Sequence, residues 1–309
     1  MKRPCLAYWV SLLLALPLWN ACQSSKTDEQ STSGTAKKPL QEAGQTPTAT
    51  QADILAQRFG PILKGAWVST AYLAAVQKTK SPLKAADAAG EVSEIHINPA
   101  ARSADSLVAD VGLGNHEGGN LTIYFRPGQQ ANALPTNFRD YDAPGSFAEL
   151  SYRLAARDTT LELTTYSKGG KVLARTAYRR VAGARLGTLG AANLAVNQLL
   201  LAGNYSGVDS LGRPVSMQFE ANGRVKGLKG FRSYIVNTDF SGGPGTEIDH
   251  LVLDPQTTHR RLMGYSRRAN TLLLYAAFMV EPRLVAGTED DYTLPELVRG
   301  RLLFTLERR

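Results

Sequence analysis

Cysteine is almost absent from this chain of 309 residues: there are two, Cys5 and Cys22, and only four histidines. So few thiols exclude a disulfide framework. The histidines, His96, His116, His250 and His259, are scattered, with no two at metal-ligand spacing. Catalytic signatures are missing as well: there is no Gly-x-Ser-x-Gly elbow, no His-Glu-x-x-His helix and no phosphate-binding glycine loop ending in Lys-Ser or Lys-Thr. The glycines of "NHEGGN" and "SGGPGT" read as turns, because neither stretch sits between a strand and a helix. These absences imply no cofactor, no metal and no catalytic residue, and the expectation is a protein that is not an enzyme. An enzyme with an unrecognised site is kept only as an alternative.

Acidic residues are the scarcer charge, 27 against 35 Lys and Arg, for a formal net charge of +8. The arginines are dispersed or paired, at Arg179, Arg260, Arg267 and Arg308 with their neighbours, and no basic run is interleaved with aromatics. That argues against nucleic acid and for attraction to anionic surfaces. In "TEDDY", Asp290 and Asp291 have the oxygen chemistry of a hard-cation site, or are solvated loop charges. His96 shares a strand face with Glu94, which reads either as solvent-facing or as the wall of a polar cavity.

The N-terminus carries Lys2 and Arg3, then an almost wholly apolar run from Leu6 to Leu18, then Ala21 before Cys22. This is the layout of a secretory signal. A spanning helix needs about 20 apolar residues, and this run is shorter and interrupted by Pro17. Cys5 lies inside the signal and leaves with it, so Cys22 has no disulfide partner. From Gln23 to Thr50 the chain is Ser, Thr, Gln, Lys and Pro with scarcely an aromatic residue, the composition of a flexible tether.

These residues resemble a bacterial lipoprotein, and the looser lipobox resembles those of Bacteroidetes. Ala21 and Cys22 fit the box, while Trp19 and Asn20 stand where that family prefers leucine and a small residue. The resemblance implies diacylglycerol on Cys22 and a partner membrane reached through the N-terminal lipid. With Gln23 following the cysteine, it implies a cell-envelope location at the outer membrane.

Beyond the tether, "ADILAQRFGPILKG" has helical spacing, and after it short strands alternate with Gly, Asn and Pro turns. In "NLTIYFRP" Leu121, Ile123 and Phe125 share one face, and in "PVSMQFE" Val215, Met217 and Phe219 do the same. Gly-Gly in "KGGK" and Asn-Gly in "EANGR" suit tight hairpins. Roughly fourteen such runs joined by short loops indicate an all-β class built as antiparallel meanders. Helical pieces are expected at Tyr72–Gln77 and Ala192–Leu200.

Two stretches open alike, "LKGAWVSTAYL" and "LAGNYSGVDSLG", and two arginine-rich strands close alike, "ARTAYRRV" and "RGRLLFTLERR". The expected organisation is a signal at 1–21, a tether at 22–52, a first barrel-like half at 53–187 and a second at 188–309. One larger closed barrel or a sandwich is the alternative. The Ala182–Asn193 stretch, rich in Gly and Ala, would form the junction.

The first opening resembles the lipocalins and related calycins, in which Gly-x-Trp on the first strand packs against an arginine from the last. Gly65 and Trp67 match that motif, and the resemblance implies Arg179 or Arg180 as the arginine. Gly203, Tyr205 and Arg308 would be the second half's counterparts. The family's Thr-Asp-Tyr motif finds only "TDF", Thr238–Phe240, in the wrong half. Three functions follow: an envelope lipoprotein whose barrel binds an apolar or amphipathic small molecule, a structural lipoprotein contacting another envelope protein, or the enzyme above. The volume left inside the barrel separates the first two.

Overall fold

In a computed structural model, residues 49–155, 158–186, 189–241, 245–281 and 295–309 are described. Cys22, the expected signal and most of the expected tether, and the "TEDDY" acids, lie outside the described residues; Gln51 and Ala52, expected to end the tether, instead open the first helix, which Thr50 caps. The class is all-β and antiparallel, with barrel-like closure and a few helices.

The chain enters through α1 (Gln51–Leu63), whose first turn is fixed by a capping box between Thr50 and Asp53. Arg102 holds Asp53 from outside the helix at 2.7 Å. Then follow β1 (Gly65–Ser69), α2 (Thr70–Thr79), α3 (Pro82–Ala85), β2 (Val92–Ile97), β3 (Ser106–Leu113), β4 (Glu117–Tyr124), β5 (Ala133–Pro135), β6 (Phe147–Ala155), β7 (Asp158–Tyr166) and β8 (Val172–Arg180). Ser69 caps α2 through Tyr72 N–H, and Lys80 ends that helix with a left-handed φ of 57°.

These eight strands form one sheet in the order β4-β3-β2-β1-β8-β7-β6-β5, so each strand pairs with its sequence neighbour and β1 pairs with the last. The free edges then meet. Ile123 bridges Thr136, the Asn137 N–H donates to the Thr122 carbonyl at 3.0 Å, and the Thr122 N–H donates to Asn137 Oδ1 at 2.8 Å. A meander curled in this way is an up-and-down barrel. Leu121, Ile123 and Phe125 point inward as their alternation predicts, and with Ile95, Leu150 and Leu161 they fill the interior.

The second barrel is introduced by α4 (Ala191–Leu200). It comprises β9 (Gly203–Asp209), β10 (Pro214–Phe219), β11 (Val225–Lys226), β12 (Tyr234–Val236), β13 (Gly245–Thr246), β14 (His250–Leu253), β15 (Arg261–Arg268), β16 (Thr271–Val280) and β17 (Glu296–Arg308). Its order is β11-β10-β9-β17-β16-β15-β14-β12, with β13 paired in parallel to the start of β17. The edges meet here too: Tyr234 N–H donates to the Gly223 carbonyl, and Val225 N–H to that of Arg232. Met217 and Phe219 are buried, whereas Val215, on the same face, is only half-buried. The lower part of this barrel is therefore filled and its mouth is not.

Every residue of β2 is buried, which a strand achieves only when both its faces are covered. Ile95 and Ile97 lie inside the first barrel, while Glu94 and His96 face outward. The outer face of β1 joins one continuous core with α2, α4 and the second barrel's interior, through Ala66 and Val68. Glu94 makes this seam explicit. Gly190 gives α4 no side-chain cap, and the Glu94 carboxylate supplies one instead, accepting from Gly190 N–H at 2.9 Å and Ala192 N–H at 2.7 Å. A carboxylate at a helix N-terminus satisfies orphan donors and meets the positive end of the helix dipole. The solvent alternative for that face is thus replaced: His96 is 2% exposed, with Nε2 3.6 Å from Glu94, and Glu94 lines a polar cavity of about 200 Å³ with Gly190 and Asn193.

Candidate functional site

The barrel-closing residues come together at one end of each barrel. Trp67 and Arg180 face each other across β1 and β8, and the Arg180 guanidinium lies 4.6 Å from the indole centroid. Arg180 is on the inward row with Tyr178; Arg179, one residue back, is on the other face. The indole N–H donates to the Leu63 carbonyl at 2.8 Å, and Arg180 Nη2 donates to the Ile62 carbonyl at 2.7 Å. One tryptophan and one arginine thus tie the C-terminus of α1 over the barrel end, using carbonyls the helix cannot satisfy itself.

The second barrel repeats the device with different chemistry. Tyr205 OH donates to the Leu201 carbonyl at 2.9 Å, again four residues back, and Arg308 donates to the Ala202 carbonyl. Arg267 donates to the carbonyls of Leu199 and Leu200 at the end of α4. Gly65 and Gly203 have φ of +144° and +155°, and a Cβ there would stand 3.2 Å and 2.8 Å from Nε of Arg180 and Arg308. Only glycine meets both demands, the backbone angle and the close arginine. The "TDF" residues lie on no strand: Thr238 accepts from Asn193, Asp239 pairs with His116 at 3.0 Å, and Phe240 packs edge-on to His250.

The opposite mouths differ. At the first barrel the space between β3, β4 and the loop of Phe138 and Tyr141 is about 210 Å³. At the second, a cup of about 530 Å³ opens between the β9–β10 turn, the loop after β11 and the facing parts of β15 and β17. Leu228 and Met263 are buried within its lining, and Val215, Phe231, Leu303 and Phe304 are half-buried there. Arg213, Lys229 and Arg261 also line it. Arg213 is occupied by Asp209, 2.6 Å away. Burial pushes Asp209 up, but the Arg213 and Leu211 N–H groups and the Arg213 guanidinium outweigh it and hold that carboxyl below its usual range. Among the described residues Lys229 and Arg261 have no carboxylate partner.

A pocket of several hundred cubic ångströms, apolar below and cationic above, has the scale and lining of a small-molecule site. At about 30 Å³ per water-sized group, 530 Å³ admits on the order of fifteen to twenty non-hydrogen atoms. Alternation identified Val215; it did not point to Leu228 and Phe231, whose signal is two apolar residues inside the basic, glycine-rich loop "KGLKGFR". Among the described residues no group of three His, Cys, Asp or Glu side chains is arranged to hold a metal ion. None of their helices is long and apolar enough to cross a membrane.

Fold and cup together define a tandem of β-barrels, each tied to a helix at one end, with a cup at the mouth of the second. Compared with protein-family models, curated proteins and solved structures, the chain matches none of the three.

Proposed function

We propose that this protein is an envelope lipoprotein, anchored at the outer membrane through acylated Cys22, whose second barrel carries an amphipathic small molecule with an anionic head. The observation that carries the ligand reading is the cup of about 530 Å³, apolar within and bordered by Lys229 and Arg261. The resemblance of Gly65, Trp67 and a last-strand arginine to the calycin pattern supports the same reading, since calycin-like barrels hold ligands at an open mouth. The filled first barrel acts in this scheme as a spacer and as the platform that caps α4.

Native and intact mass spectrometry of protein purified from envelopes tests both parts. The expected result is a mature N-terminus at Cys22 bearing acyl chains, and a co-purifying amphipathic molecule. An unacylated N-terminus elsewhere overturns the anchoring. A ligand-free protein that also ignores a fluorescent fatty-acid probe overturns the carrier role.

A second reading, docking to another envelope protein, draws on Phe278, Met279, Val280 and Leu302, exposed by 40 to 54% where β16 and β17 run together. Site-specific crosslinking from position 278 in intact envelopes tests it, and an adduct with one defined protein is the expected outcome.

A further inference from the structure

A second cavity, of about 400 Å³, lies where the end of α2 and the start of α3 face β15, β16 and β17. Five cations line it: Lys80 and Lys84 from the first side, and Arg267, Arg268 and Arg299 from the second. Among the described residues none of the five has a carboxylate within ion-pair distance. The two carboxylates in the lining, Glu247 and Asp249, leave the cations in excess by three. Asp249 is already engaged, accepting from Leu83 N–H at 3.0 Å and so docking α3 on the second barrel.

The walls are held in place without a ligand. Arg299 lies 4.6 Å over the Tyr275 ring, and Arg267 is fixed by the carbonyls at the end of α4. Tyr265, also in the lining, has a buried hydroxyl with no hydrogen-bond partner. Unneutralised like charges gathered round one cleft repel each other, and a bound anion relieves that repulsion. Guanidinium forks and ammonium point charges match phosphate oxygens, while the Ser266 hydroxyl, 3.4 Å from that of Tyr275, offers a polar contact to a sugar or glycerol.

We infer that this cleft is an anion site, distinct from the apolar cup, for a small molecule or head group carrying a multiply charged phosphate. A volume of 400 Å³ at about 30 Å³ per group holds on the order of a dozen non-hydrogen atoms, the size of a phosphorylated sugar or a phospholipid head.

The test uses the full chain with Cys22→Ser, so that no N-terminal lipid enters the vesicles, and two probes: inorganic pyrophosphate by calorimetry, and phosphatidylcholine vesicles doped with phosphatidic acid by co-sedimentation. Each is measured on that chain, on a Lys84→Gln, Arg268→Gln double variant and on a Lys168→Gln, Lys171→Gln control that removes the same charge from the β7–β8 turn. Saturable pyrophosphate binding, weakened at least about tenfold in the cleft variant and unchanged in the control, assigns a free phosphate ligand. Vesicle capture with the same dependence, without pyrophosphate binding, assigns a lipid-borne phosphate. Binding of neither probe, or equal loss in cleft variant and control, overturns the proposal. A fatty-acid probe bound normally by the cleft variant keeps this outcome separate from the fate of the cup.

Discussion

Glu94 accepts a 2.7 Å hydrogen bond from the backbone N–H of Ala192, so a strand of the first barrel caps the helix that enters the second. The bond spans 98 residues of sequence and crosses the seam between the two sheets. Burial pushes the Glu94 carboxyl up, but the His96 imidazole and the N–H groups of Ala192 and Gly190 outweigh that, leaving it below the usual 4.5.

Glu94→Gln should therefore lower stability at neutral pH by about 1–3 kcal/mol, the scale for a hydrogen bond to a buried charge. A native-state value below the unfolded one means the contribution is complete above the ordinary Glu range and is lost as pH falls through the native value. Urea melts of both proteins at descending pH should show the gap close below pH 4.5. A gap that stays constant into acid would contradict the cap.

Gly203→Ala and Gly65→Ala should each cost roughly 1–3 kcal/mol, because both place a Cβ on a backbone suited to glycine. The Gly203 change should be the worse, its Cβ being 2.8 Å from Arg308 Nε against 3.2 Å from Arg180 at Gly65. Adding Arg308→Ala to Gly203→Ala should recover part of the loss by removing the clash and none of the backbone strain. Thermal melts of the singles and the double decide it; strict additivity would mean that the arginine does not press on this glycine.

His116 and Asp239, 3.0 Å apart, join the first barrel's β3–β4 turn to the second half. The hydrogen bond and charge of Asp239 hold the His116 pKa above the usual 6.5. A raised native value means the pair's contribution is fully present below pH 6.5 and fades as pH rises through the native value. In an NMR titration His116 should titrate above an exposed reference histidine, and Asp239→Asn should bring it down. An unmoved His116 in that variant would refute the pairing.

Added bulk should have opposite consequences in the two barrels. Val215→Trp places bulk in the open cup, and should weaken a fluorescent fatty-acid probe at least about tenfold while leaving the fold intact. Leu150→Trp forces the same bulk into the filled interior of the first barrel, where it should cost about 1–3 kcal/mol by overpacking and leave probe binding unchanged. Probe titrations paired with melting curves read both effects. Normal probe binding by Val215→Trp would exclude the cup.

Much of this architecture is legible along the chain. The alternation of Leu121, Ile123 and Phe125, and of Met217 and Phe219, sets which face turns inward, since strand side chains alternate whatever lies beyond them. The paired Gly-x-aromatic openings mark the two strands that meet an arginine from β8 and β17. Hairpin pairs such as Asn222-Gly223 place the turns, and Gly223 takes φ of 85°.

Long-range packing decided the rest. Whether Arg179 or Arg180 crosses Trp67 is a matter of register, because one residue of slip reverses the face. Periodicity records that Glu94 and His96 share a face; it does not say that a helix from the other half covers it, since that depends on how the two barrels dock. Likewise Val215 reads like Met217 and Phe219 in sequence, yet it borders a cup while they fill a core. A position near the strand end is packed only if the loops across the barrel reach it, and here they stop short.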